Sequence, residues 1–365
     1  AGWRISEENF LKDVSWLDDL KFRVSYGESG NLAGAPFQYL SSFNGRNSVY
    51  MINGNILNGL IESSEANVDI AWERSKKRNI GVDGTIFNHL INFSFDYFFE
   101  KRSNMLIAPD VTTPLEYGIG LSQVNAGIMD NRGIEFSGGF EKTIGKNLQI
   151  ELTGNFPWAK NKMVNLFESE STFNNPNRRM TGRPWGTQFG YKAIGYFQPE
   201  DFDHDGNLLS GIPVQPWGKV NPGDIRYEDV TGDGKFSSDD FVPIGYPSAI
   251  PRIYYGFSPR ISYKNFSLDV LFQGAAKSNF YIREIDWAFF NQRSAFDSHF
   301  DYWTPDNRDA SYPRITSAPT PNNTQTSSFW MKNTSYMRLK NATLSYTLGN
   351  LIASKLKINQ GTIYI

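Results

Sequence analysis

Apolar and polar positions alternate with period two over several long stretches of the chain. Phe93, Phe95, Tyr97 and Phe99 fall on one face, with Asn92, Ser94, Asp96 and Glu100 on the other. Ile134, Phe136 and Phe140 oppose Glu135, Ser137 and Glu141. Leu148, Ile150, Leu152 and Phe156 oppose Gln149, Glu151, Thr153 and Asn155, and Phe266, Leu268, Val270 and Phe272 oppose Ser267, Asp269 and Gln273. This pattern predicts strands with one apolar and one polar face. In a sandwich the apolar face meets a second sheet. In a membrane barrel it meets lipid, and the polar face meets a wet lumen.

Connector lengths separate the two cases. Strands near 78–87 and 90–100 are joined at Asn88-His89, strands 132–142 and 148–160 by a short turn, and strands 252–263 and 266–274 at Lys264-Asn265. Between the hairpins lie long connectors: residues 101–131, from 161 to about 190, and from 275 towards Tyr336. Structureless loops beyond about 15 residues are uncommon in compact soluble domains. Membrane barrels, in contrast, alternate short periplasmic turns with long outer loops. Runs of about 9–13 residues also suit a tilted crossing of the bilayer. The expected fold is all-β, a transmembrane antiparallel β-barrel portion with long outer loops and about twelve strand candidates.

Composition supports this picture. Aromatic residues make up 15% of the chain, a usage that suits strands and membrane girdles. No run of about 18 apolar residues exists, so no transmembrane helix is expected. The absence of cysteine excludes thiol catalysis, Cys-type zinc sites and disulfides. The three histidines, His89, His204 and His299, do not cluster in sequence. Lys and Arg number 36 against 38 Asp and Glu, so no bulk charge points to nucleic acid. No nucleophile elbow and no phosphate-binding loop after a strand occurs, and no enzyme is expected. No domain boundary is evident. The run Ala318-Pro-Thr-Pro-Asn-Asn-Thr-Gln-Thr-Ser-Ser328 is the most linker-like, while the other connectors keep enough aromatics to fold against one another.

The candidate chemistry lies in the connectors. Asp229, Thr231, Asp233, Lys235, Ser237 and Asp240 stand at positions 1, 3, 5, 7, 9 and 12 of a calcium-type loop, with Gly234 at the sharp turn. The expected ion is a structural Ca2+ that stiffens an outer loop. The same residues also suit a polar turn held by Asp side-chain hydrogen bonds. A weaker run, Asp201, Asp203 and Asp205 before Gly206, has Ile212 at its twelfth position. Trp158, Trp185, Trp217, Trp287, Trp303 and Trp330 can anchor at the interface, build a loop core or touch substrate. Trp185 and Trp303 are the candidate substrate or lid contacts. Lys21, Arg23, Arg260 and Arg338 fall among apolar neighbours on strands and are expected to point to the lumen.

Several phrases, in order along the chain, resemble the C-terminal half of the SusC-like family of TonB-dependent outer-membrane transporters. They are Leu20-Lys-Phe-Arg-Val-Ser-Tyr-Gly27 after the segment from Gly2 to Leu17, Trp72-Glu-Arg-Ser-Lys-Lys-Arg-Asn-Ile-Gly-Val-Asp83 and Asn131-Arg-Gly-Ile-Glu-Phe136. Pro222-Gly-Asp through Ile244-Gly245, the stretch from Tyr254 to Gly274, and Tyr336-Met-Arg-Leu-Lys-Asn-Ala-Thr-Leu-Ser-Tyr346 follow. The resemblance implies import of oligosaccharides or peptides across the outer membrane of a Gram-negative bacterium. It also implies a SusD-like surface lipoprotein as lid, energy from the TonB–ExbB–ExbD complex, and a dimer of transporter–lid pairs. Such transporters carry an N-terminal plug and a barrel of about 22 strands. No plug is recognisable here, and Gln360-Gly-Thr-Ile-Tyr-Ile365 is similar to the strand before the last. An open half-barrel would leave unpaired edges in lipid. The expectation is therefore a C-terminal portion of a longer protein, without plug and last strand. Two alternatives stay open at this point: a soluble secreted carbohydrate-binding β-protein with a dockerin-like calcium loop, and a passive porin-like pore.

Overall fold

The computed structural model describes residues 1–365 except 111–113, 115–116, 247–249, 283–295, 317–320, 350–353 and 356. Trp287 lies outside the described residues. In chain order the strands are β1 (Gly2–Arg4), β2 (Leu17–Asn31), β3 (Ser42–Ile52), β4 (Asn55–Ser64), β5 (Glu73–Ile86) and β6 (Ile91–Ile107). Next come β7 (Val124–Ile144), β8 (Leu148–Asn165), β9 (Phe189–Gly190), β10 (Ala193–Tyr196), β11 (Ile225–Tyr227) and β12 (Val242–Pro243). The last are β13 (Ile253–Tyr263), β14 (Phe266–Ala276), β15 (Asn279–Tyr281), β16 (Met331–Asn333), β17 (Tyr336–Thr347) and β18 (Thr362–Tyr364). One ten-stranded antiparallel sheet, in the order β1-β2-β5-β6-β7-β8-β13-β14-β17-β18, makes a wall whose edges are β1 and β18.

Register fixes the faces, because residues directly opposite in an antiparallel ladder share a side. One row joins Phe22, Val82, Phe95, Phe136 and Phe156, and the next joins Val24, Ile80, Tyr97, Ile134 and Trp158. The same face continues through Phe257 stacked on Phe272 at 4.7 Å, and through Phe266 beside Tyr346. Among the described residues no second sheet covers this face, and Ile80, Phe95, Tyr97, Phe136, Leu152 and Leu344 are exposed. The other face is polar. There Arg23 donates to Asp83 at 2.7 and 2.8 Å and to Asp96 at 2.8 Å, and Arg260 pairs with Asp269 at 2.5 Å. Arg338 lies opposite Gln273 in the same ladder. These basic residues take the polar face, as their sequence context requires.

Three short connections of the ten-stranded sheet lie at one rim. Residues 87–90, 145–147 and 264–265 close the hairpins there, with Gly145 and Lys264 in the left-handed region at φ 63° and 54°. Tight hairpin turns need positive φ at such positions, which Gly adopts without steric cost. The connections β2–β5, β6–β7, β8–β13 and β14–β17 leave from the opposite rim, while residues 5–16 and 348–361 join β1 to β2 and β17 to β18 at the same rim as the tight turns. Several boundaries differ from the sequence pattern: β5 begins at Glu73 rather than near 78, and β8 runs to Asn165 rather than 160. Residues 101–107 and 124–131, expected in a connector, prolong β6 and β7, so the connector shrinks to 108–123. The pairing continues with register shifts at Arg102/Met105 and Met105/Leu106, and the face with Lys101 and Asp130 is no longer apolar, so alternation could not reveal them.

Candidate functional site

The long connections between β8 and β13 and between β14 and β17 fold together at the outer rim. Tyr196, Ile225, Tyr227, Tyr281, Trp303, Ala310, Tyr312 and Trp330 form a buried cluster there, flanked by Tyr191, Trp217 and Phe329. β11 lies at its centre, paired with β10. Its remaining backbone groups are taken by side chains. The Tyr227 amide donates to Gln215 Oε1 at 2.6 Å, the Ile225 amide donates to Asn323 Oδ1 at 2.8 Å, and Asn322 Nδ2 donates to the Ile225 carbonyl at 2.8 Å. Asp224 is wholly buried and accepts from Arg314 Nε at 2.7 Å, Asn323 Nδ2 at 2.9 Å and the Asn221 amide at 2.8 Å. Buried polar groups persist only when hydrogen-bonded, and a satisfied network of this kind specifies one arrangement.

This hub overturns one expectation. Asn322 and Asn323 lie in the run that reads as most linker-like, yet both are buried and hold two connectors together. Their amides are chosen for hydrogen bonding to a strand, and composition alone does not separate that from solvation. Gln215, Asp224, Arg314, Asn322 and Asn323 were not among the sequence candidates. The available signal was Asp224, inside the Pro222-Gly-Asp phrase. Gly223 there sits at φ 88°, and an added Cβ would meet the Trp303 ring at 2.3 Å, so glycine is required twice over.

Trp303 is therefore corrected as a candidate contact. It is only 6% exposed and packs under Gly223 inside the loop core. Trp185 keeps an accessible position at 52% exposure, with its amide donating to Asn161 Oδ1 at 2.7 Å. Its chain neighbours Arg183, Pro184 and Thr187 line a cleft of about 450 Å3, together with Ile244, Tyr246 and Arg252. The Arg252 guanidinium lies 4.9 Å from the Tyr246 ring centre. An aromatic edge with two arginines can hold a planar or anionic ligand group.

The acidic loop is closed by its own hydrogen bonds. Asp229 accepts from the Gly232 and Gly234 amides, both at 2.7 Å, and from Thr231 Oγ1 at 3.1 Å. Desolvation pushes the Asp229 carboxyl up, but these donors outweigh it and hold the group below the ordinary carboxylate range. Asp240 is fully buried and accepts from the Val230, Thr231 and Ser237 amides at 3.0, 3.1 and 2.9 Å. Asp233 accepts from the Lys235 amide at 2.8 Å, and the Ser237 hydroxyl accepts from the Asp239 amide at 3.0 Å. Among the described residues no group of three acidic or His side chains converges on a point where a metal could sit. Thr231 Oγ1 donates to both Asp229 Oδ1 and Asp240 Oδ1 at 3.1 Å, so three of the six candidate ligand residues meet at one end of the loop.

The weaker acidic run is not brought together either. Asp201 pairs with Arg226 at 3.2 Å and accepts from the Gln198 amide. Asp203 accepts from the Asn207 and Asp205 amides at 2.8 and 2.9 Å, and the Asn207 amide leads the bonds that hold its carboxyl below the usual range. The Asp205 carboxylate is absent from that turn's hydrogen bonds.

The comparisons with known proteins agree with this architecture. The family model described as TonB dependent receptor-like, beta-barrel, matches residues 3–364. The chain is 29% identical, over its whole length, to TonB-dependent receptor P3 of Formosa agariphila, covering 36% of that protein. It is 24% identical over 96% of its length to TonB-dependent receptor SusC of Bacteroides thetaiotaomicron, covering 34% of it. Among solved structures, the RagAB peptide importer in its open-open state superposes on the whole chain with a TM-score of 0.71 and 23% identity, over 37% of that chain. The chain thus spans about a third of the length of the curated relatives it matches. It belongs to the TonB-dependent receptor-like β-barrel family.

Proposed function

We propose that this chain supplies part of the wall and the outer loops of an outer-membrane importer that works with a SusD-like lipoprotein lid and takes oligosaccharides or peptides. The observation that carries the reading is the family match across residues 3–364, on a sheet whose apolar face is exposed among the described residues. In the proposed cycle the lid delivers cargo to the rim. The TonB–ExbB–ExbD complex pulls on a plug, and cargo passes along the polar face past Arg23, Asp83 and Asp96. Trp185 and the adjoining cleft are the proposed cargo or lid contacts. A dimer of transporter–lid pairs belongs to the same proposal. No bond in the cargo needs to be made or broken.

A structural Ca2+ on the loop at 229–240 is a separate proposal, supported by residue spacing alone. Calorimetric titration of the native protein with Ca2+ tests it, and absence of saturable heat would reject it. The secreted carbohydrate-binding alternative loses its support, because the long exposed apolar face belongs against lipid. The passive pore is separated by experiment. Uptake of labelled oligosaccharide or peptide mixtures by whole cells should be abolished when TonB is deleted. Uptake that persists unchanged would favour a passive pore.

A further inference from the structure

Above Trp158 the outward face of the wall changes character. The next two rows up from the apolar band contain Lys76, Arg78, Lys101, Arg132, Lys160 and Lys162, all exposed. Lys76 lies directly opposite Lys101, and Arg132 directly opposite Lys160. Like charges directly opposite on adjacent strands destabilise the pair. No ion pair joins any of the six to an acidic side chain among the described residues. The neighbouring acid Glu28 is engaged by Arg74 at 3.1 Å. Asp130, directly opposite both Lys101 and Lys162, is the one other carboxylate in these two rows, so six cations are only partly offset and the patch keeps a surplus of positive charge for something outside the chain to meet.

The patch has a shaped centre. Arg132, Lys160 and Lys162 line a cleft of about 430 Å3 around Phe99, bounded by Asp130 and by Gly182 of the following loop. Oδ1 of Asp130 is shielded from solvent without a hydrogen-bond partner, an acceptor set among cations. The cleft thus offers three cations for phosphate, one acceptor for a hydroxyl and an aromatic ring for an apolar or sugar face.

Its height follows from strand geometry. The apolar row of β8 runs from Leu148, at the short-turn rim, to Trp158. Ten steps at about 3.4 Å, tilted about 40°, cover about 26 Å of depth, close to the apolar band of such barrels. Arg132 and Lys160 come one row higher, on the long-loop side, which faces outwards in this architecture. They stand where the headgroups of the outer leaflet lie.

We propose that this cleft binds a phosphorylated glycolipid headgroup of the outer leaflet, held by Arg132, Lys160 and Lys162. The proposal rests on the wall crossing the outer membrane and is independent of what the protein imports. The test uses native protein extracted from its membrane, with bound lipid counted by native mass spectrometry. The probes are bis-phosphorylated lipid A, the same lipid stripped of phosphate, and inorganic phosphate. The wild type should retain the phosphorylated lipid about tenfold better than the stripped one, and the triple variant Arg132→Gln/Lys160→Gln/Lys162→Gln should lose about that factor. Equal retention by the variant, equal retention of the stripped lipid, or equally tight inorganic phosphate would each overturn it. If the variant does not fold, the wild type still decides. Retention must weaken as salt rises, and salt-independent retention would also overturn the proposal. Uptake that fails without TonB while lipid retention is unchanged by the variant would refute this site and leave the importer reading intact.

Discussion

The wall and the loop assembly are built on opposite principles. In the wall, Phe95, Tyr97, Phe136 and Leu152 face outwards and stay exposed, so the protein provides one layer and the bilayer the other. In the loops, Trp330, Tyr227 and Ile225 are buried against one another, and wholly buried Asp224, Asn322 and Asn323 tie the backbone together. Most of the buried apolar side chains described belong to the loops, while the wall contributes Met105, Ile107, Met163 and Ala275. The wall therefore depends on its surroundings and the loops on their own packing. A loop assembly with its own core can present a fixed rim to a partner.

Breaking the loop core should separate the two regions most strongly. Trp330 is fully buried and donates from Nε1 to the Asn323 carbonyl at 2.8 Å. Trp330→Ala should cost about 3–5 kcal/mol locally. Limited proteolysis should then cut the connections between β8 and β13 and between β14 and β17, while the wall keeps its heat-modifiable migration on gels. Loss of the wall as well would mean that the regions fold as one unit.

Acid should produce a smaller version of the same split. The carboxyls of Asp203, Asp229 and Asp301 all lie below their ordinary range. For Asp301 the leading cause is the Ser311 side chain, followed by Asn307. A depressed folded pKa gives stability that is present above the unfolded value, about 3.9, and lost as pH falls through the folded one. Between neutral pH and about 4 the loops should be unchanged, and below about 4 they should become protease-sensitive. Loosening between pH 5 and 7 would point to other groups.

The sequence made the wall legible and the loops much less so. Period-two alternation locates β6, β7, β8 and β14, because lipid on one side and water on the other impose it residue by residue. In residues 101–107 and 124–131 register shifts at Arg102/Met105, Met105/Leu106 and Ile128/Met129 interrupt the period-two order, so these residues lose the signal although Met105 and Ile107 are buried. The loop core leaves no periodic trace, since its members come from separate connections and meet only in space. Asn322-Asn323 reads as solvated chain because an amide satisfied by a buried strand and one satisfied by water have the same composition. The Asp229 spacing is equally double-edged. Residues that could ring an ion also accept the amides of a tight turn, as Asp229 and Asp240 do, so the spacing alone does not separate the two.

The central claim is that the face of Phe93, Phe95 and Tyr97 meets lipid while that of Asn92, Ser94 and Asp96 meets water. The chain contains no cysteine, so single labels can be placed without background. Spin labels introduced by substituting Cys in turn at residues 92–97, in protein reconstituted into bilayers, test it most directly. Relaxation by membrane-dissolved oxygen should peak at 93, 95 and 97, and relaxation by an aqueous nickel complex at 92, 94 and 96. The reverse phase, or equal accessibility at all six positions, would contradict the account.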